Sequence, residues 1–238
     1  MNPTPASVPT VAFNAHRILL GLWLTVTGLL LIHVTLTVVH YEVTDLPWLL
    51  RQIFDVDEED SIPTWYSAMA LLLTAGVLGW WSARVRIEQG TNLYHWLGLA
   101  IGFTGLSLDE IAGVHETLNS ITDVSWTIPG MVVVALIAGA YLPFLASLPR
   151  PLAIRFVVSG AIYLGGAIGV EWATEPYLAD DELNTLAYNL WTAVEEGMEM
   201  IGVLLFLGAL IGHIETAGGL KGEMVVSRPE VSPPPPVD

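Results

Sequence analysis

Asp109, Glu110, His115 and Glu116 stand together in "SLDEIAGVHE" (107–116), at the close of an otherwise apolar segment. A later apolar segment carries Thr192 and then Glu195, Glu196 and Glu199, the last three within "EEGMEM" (195–200). A third segment closes on Glu171 and Glu175, and a fourth holds His33 and His40. Carboxylates are the donors that hard divalent cations take, and imidazole adds affinity for zinc, iron or manganese. Carboxylates and one or two histidines on several helices of a bundle are also how di-iron and di-manganese sites are built. The Glu-x-x-His pair of those sites is missing here: Glu110 and His115 are five apart, and the last segment offers Glu-x-x-Glu at 196 and 199. The match is to ligand type and helix geometry, and it does not choose among the three metals.

The segments that must position these groups belong to a membrane protein. Of 238 residues 53% are hydrophobic and only 13% charged, and mean hydropathy is +0.59, outside the range of soluble domains. Six apolar segments, near 17–40, 63–83, 94–116, 127–147, 153–174 and 187–212, are long enough to cross a ~30 Å core at ~1.5 Å per residue. The expected fold is an all-α polytopic membrane bundle of six transmembrane helices. The run from Ile18 to Val39 is too long for a signal-peptide core, so it is read as an uncleaved span. Residues 1–16 form an N-terminal segment, 17–215 the membrane domain, and 216–238 a proline-rich tail expected to be disordered. Arg17, Arg84, Arg86, Arg150, Arg155, Lys221 and Arg228 all fall on one side of this arrangement. By the positive-inside rule that side, with both termini, is cytoplasmic, in a multi-pass protein of the inner or plasma membrane. The opposite loops hold "DVDEED" (55–60), Asp123 and "ADDE" (179–182).

Helix geometry then gathers the polar groups. Residues seven apart differ by ~20° around a helix, so Asp109 and Glu116 are expected on one stripe, with Gly102, Gly105, Ala112 and Gly113 beside it. A stripe of small residues lets helices approach closely, which turns the acids towards protein. His33 and His40 share a face of span one with Thr37. Glu171 and Glu175 share a side of span five with Gly160 and Ala167, and Thr192, Glu195, Glu196 and Glu199 occupy one sector of span six, continuing into Gly202. With the inferred topology all lie in the outer half of the bilayer. Each charge near the bilayer centre costs ~2.5–3.5 kcal/mol. Several carboxylates held there need protons, water or a bound cation.

The expectation is an outward-facing cavity among spans one, three, five and six that binds a divalent metal cation. Asp109, Glu116, Glu196 and Glu199 are the core ligands, with Glu171 and His115 next. Glu110, Glu195, His33, His40 and Thr192 support them. Such a metal could serve an enzyme acting on a lipid-borne substrate. The alternatives are a cation or proton-coupled transporter or channel, though no acid lies in the inner half of any span, and a haem protein using His33, His40 or His115, which surrounding acids disfavour. The partners expected are membrane lipid and a cation, and self-association is left open. A net charge of −16, from 24 acidic and 8 basic residues, excludes nucleic acid. With no cysteine, thiolate sites are excluded. "DVDEED" lacks the glycine and distal glutamate of an EF-hand loop and reads as a solvated loop. "SLDEIAGVHE" with "EEGMEM" resembles a signature of uncharacterised multi-span bacterial membrane proteins, Ser-Leu-Asp-Glu-x4-His-Glu. That resemblance implies a multi-span fold and no particular activity. It does not extend to the ceramidase and progestin-receptor-like hydrolases, whose several-histidine pattern is not reproduced.

Overall fold

The structure, a computed structural model, describes residues 14–114, 127–179 and 183–218. Among them every regular element is helical, as expected: α1 (Ala15–Glu42), α2 (Trp48–Phe54), α3 (Ile62–Ile87), α4 (Leu93–Ala112), α5 (Thr127–Ser147), α6 (Arg150–Leu164), a π-helical segment (Gly165–Val170), α7 (Glu171–Ala179) and α8 (Leu186–Thr216). Polar residues start the long helices by accepting from otherwise orphaned amides. Asn14 accepts from Arg17 N, Ser61 from Thr64 N and Thr185 from Tyr188 N.

Among the described residues five elements are long and apolar enough to cross a membrane: α1, α3, α5, the run Arg150–Tyr177, and α8. The sixth expected span, α4, falls short because Tyr94, His95, Asp109 and Glu110 dilute its apolar stretch. It also stops early. Gly113 adopts the left-handed conformation (φ 51°, ψ 42°) and its N–H bonds Asp109 O, the usual glycine stop. His115 and Glu116 lie outside the described residues, as do Asp123 and the terminal stretches 1–13 and 219–238.

α8 is the hub. Met200, Val203, Leu204, Leu207, Leu210 and Ile214 along it are buried, and it packs on α1, α3, α6 and the π-helical segment. α3 and α4 form the other extensive helix pair. The half of the core nearer the acidic loops joins Val26, Leu29, Leu71, Met200 and Leu204. The half nearer the arginines is aromatic. Trp96 meets Phe144 edge-on at 4.9 Å and stacks on His213 at 5.7 Å. α5 is different: Thr127 and Phe144, near its two ends, are its buried residues, and Val132, Val133, Leu136 and Ile137 between them are exposed. Tyr141 Oη donates to His95 O at 3.1 Å and Asn92 Nδ2 to Ser147 Oγ at 2.8 Å, tying the arginine end of α5 to α4.

Candidate functional site

Three carboxyl groups enter the bundle from one turn of α8. Glu199 is buried, Glu195 and Glu196 half-buried. α8 turns this face towards α6 because two glycines let the helices touch at the backbone. A Cβ on Gly166 would stand 2.6 Å from Glu195 O, and one on Gly202 would stand 2.9 Å from Ser159 O. Next to that contact Tyr163 lies beside Glu199.

Carboxylates from three other elements close around them. The strongest electrostatic neighbours of Glu196 are Glu199, Glu110, Glu195 and Asp57, in that order. For Glu199 they are Glu110, Glu195, Tyr163 and Glu171, and for Glu195 they are Glu171 and Asp57. The chamber thus draws on α4, the loop before α3, the start of α7 and α8. Like charges confined together at low dielectric call for protons, water or a counter-cation. Among the described residues, no three His, Asp or Glu side chains already converge as a ligand set for one metal ion.

Several expected positions shift. From α4 it is Glu110, expected in a supporting role, that neighbours Glu196, Glu199 and Tyr163; Asp109 is not among their strongest neighbours. The glycines beside Asp109, Gly102 and Gly105, have nothing within 4 Å of a Cβ, so this stripe is not pressed against another helix. The expected common side of Gly160, Ala167, Glu171 and Glu175 assumes α-helical spacing throughout. The π-helical turn, with its i→i+5 bonding, offsets positions on either side of it. Glu171 meets the chamber, whereas Glu175 Oε1 accepts from Thr127 Oγ1 at 3.4 Å. His33 and His40 also part. His40 sits in the α1–α2 corner, with Arg51 Nη1 at 2.9 Å from Nε2 and the Leu46 amide at 3.2 Å from Nδ1. His33 lies beside the chamber in a buried polar knot. Its Nδ1 accepts from Val56 N at 3.3 Å and its Nε2 stands 3.2 Å from Asn189 O, which also accepts from Thr192 Oγ1 at 3.1 Å. These partners fit the tautomer with its proton on Nε2.

The acidic loop is solvated at residues 57–60, as expected, but it is also anchored at Val56. Val56 is 2% exposed, its amide held by His33. Asp55 Oδ1 accepts from Asp57 N at 3.2 Å and lies 3.4 Å from His33 Nδ1. Gln52 donates to Glu58 and Asp60, at 2.8 Å each. Tyr188 Oη donates to Asp57 Oδ2 at 3.4 Å. Glu59 lies against Gly113, where any side chain would overlap its carboxylate.

A model of a domain of unknown function, DUF8692, matches residues 21–213, which takes in every chamber carboxylate described above. The chain belongs to this family. No curated protein and no solved structure matches it. In this DUF8692 chain the chamber residues that sequence reasoning missed are Asp57, Tyr163, Tyr188 and Asn189. One signal was present. Val56 is a lone apolar residue in a run of acids, which anchors a loop rather than solvating it.

His33→Ala would leave the Val56 amide and one bond to Asn189 O unsatisfied. A buried group left without its partner costs ~1–3 kcal/mol, so this variant should melt earlier and be cleaved faster between Asp55 and Asp60. Limited proteolysis of purified protein checks this; an unchanged cleavage rate would mean that His33 does not hold the loop.

Proposed function

We propose that the chain is a six-span membrane protein whose carboxylate chamber, facing outwards, binds a divalent cation. The observation that carries this is that Asp57, Glu110 and Glu171, from three other elements, lie within electrostatic reach of Glu195, Glu196 and Glu199, with no lysine or arginine among the strongest neighbours of these α8 glutamates. A divalent cation would neutralise carboxylates gathered in this way. Glu110, Glu196 and Glu199 hold it, Glu110 taking the role expected of Asp109. Glu171 and Asp57 lie beside them, while His115 and Glu116, also expected as ligands, are outside the described residues. α4 supplies the sixth span: its 20 residues reach ~30 Å, and it lies along α3, itself long and apolar enough to cross. Arginines at the opposite end support a cytoplasmic side for both termini. The cleft below the chamber is lined by apolar groups, which favours binding over conduction. Chemistry on a lipid-borne substrate would use the same cation as Lewis acid.

Titration of detergent-purified protein with Mn2+ tests this directly. Saturable binding of a stoichiometric ion is expected, with protons released as it binds and weaker affinity as pH falls, because the donors bind metal deprotonated. Glu110→Gln should weaken Mn2+ by at least ~10-fold, whereas Asp109→Asn should change it less. Equal losses in both variants would return Asp109 to the site, and no saturable binding by the wild type would end the cation reading. Cysteines introduced singly at positions 57 and 88 report topology without background, since the chain has none of its own. An impermeant maleimide should reach the first from outside the cell and not the second.

A further inference from the structure

One end of α2 is held by the bundle and the other is not. Its last residue, Phe54, packs against the core of Val26, Leu29, Leu71 and Met200. At its start Trp48, Leu49 and Leu50 are exposed, the first two by 71% and 58%. Arg51 fixes the height of the helix. Its Nη1 stands 2.9 Å from His40 Nε2, and its guanidinium lies 5.8 Å from the centre of the Tyr41 ring. His40 and Tyr41 belong to the last turn of α1, a helix long and apolar enough to cross a membrane. α2 therefore sits level with the end of a span. Its depth is bracketed from both sides. Asp45, three residues before Trp48, has a side chain that is 100% exposed, and a bare carboxylate belongs in water. Pro47 caps α2 without a side-chain bond to its first amides, and unbonded amides are costly in hydrocarbon. An exposed indole and two leucines, by contrast, belong out of water. Within six residues the chain meets both demands only at the boundary between headgroups and acyl chains, where amphipathic rings gather. Trp65, near the start of α3, is exposed at the beginning of the next span.

We propose that α2 is an interfacial helix, with Trp48, Leu49 and Leu50 seated in lipid at the membrane surface, and that it ties the acidic loop to the bilayer. The loop hangs from the other end of the helix. Gln52 donates to Glu58 and Asp60 at 2.8 Å each, and the buried Val56 follows two residues after Phe54. Lipid around Trp48 thereby restrains the loop that carries Asp57. The place of α2 at the interface follows from these contacts alone, while its assignment to the outer leaflet rests on the proposed topology.

The test uses the full-length chain, which has no cysteine of its own, in lipid nanodiscs. Leu49→Cys, Glu58→Cys and Ile137→Cys, the last midway along α5, each carry an environment-sensitive fluorophore. Phosphatidylcholine with a nitroxide near its headgroup should quench Leu49→Cys several-fold more than Glu58→Cys, and more than the same lipid with the nitroxide near its chain end. Ile137→Cys should show the reverse depth order. Aqueous iodide should quench Glu58→Cys several-fold more than Leu49→Cys. Trp48→Ser with Leu49→Ser should be cleaved several-fold faster between Asp55 and Asp60, and the lipid-quenching pattern is read on single cysteines whether or not this variant stays monodisperse. Equal iodide access at positions 49 and 58 would overturn the proposal. So would protection from iodide without quenching by lipid, as a second copy of the chain or another protein would give. Unchanged cleavage of the monodisperse double variant would overturn the tie to the loop. Lipid quenching at Leu49→Cys, with an impermeant maleimide reaching Asp57→Cys only from the cytoplasmic side, would reverse the topology and leave α2 at the interface.

Discussion

Gly202→Leu is expected to abolish the native packing of α6 on α8. The Cβ alone would sit 2.8 Å from Tyr163 N and 2.9 Å from Ser159 O. Those are backbone atoms of a helix and cannot turn aside as a side-chain tip can. Overpacking that neighbours can absorb costs ~1–3 kcal/mol. Here the helices must separate, so about 3 kcal/mol or more is expected, a large part of a typical stability of ~5–15 kcal/mol. Gly202→Ala should fall between wild type and Gly202→Leu, and Gly166→Ala should resemble it, because its Cβ would press on Glu195 O. Thermal unfolding followed by the fluorescence of the chain's nine tryptophans, with size-exclusion profiles, measures the series. A Gly202→Leu protein that melts with the wild type would show that α6 and α8 do not meet at this glycine, and the position of Glu199 against Tyr163 would go with it.

The second large effect is on binding. Glu196→Gln with Glu199→Gln keeps the shape but removes two of the chamber's negative charges. Outer-shell substitutions alone cost metal sites ~10–100-fold, so the loss of two direct donors should weaken Mn2+ by at least ~100-fold. Stability should move the other way. In the absence of metal the variant relieves crowded like charges that the wild type must hold, so it should melt at or above the wild-type temperature. Affinity lost with stability kept separates a binding role from a structural one. A variant that loses both would make the carboxylates helix-to-helix ties, and one that loses neither would place the cation elsewhere.

Much of this fold was legible along the chain. Apolar runs of about span length define helices whatever they pack against, because backbone bonding and hydrophobic length are local properties. The sector of Glu195, Glu196, Glu199 and Gly202 was equally readable, since a single uninterrupted α-helix carries it. Legibility failed wherever the period changed. The π-helical turn before Glu171 and the left-handed Gly113 each break a wheel drawn at α-helical spacing, and the faces assigned to Glu175 and Glu116 depended on that spacing.

That ionisable groups are spaced along apolar helices, and that Glu196 and Glu199 share a face, can be read from residue order. Which groups are neighbours depends on how the helices pack. Asp109 and Glu110 are ~100° apart on the same helix, and a small rotation of α4 decides which of them faces α8. The packing of α3 and α4 sets that rotation, with Ser107 Oγ donating to Ala68 O at 2.8 Å. Asp57 joins the chamber because Val56 is buried and His33 holds its amide. Neither contact has a period to read, since partners far apart in the chain are chosen by the shape of the space that remains once the helices have packed.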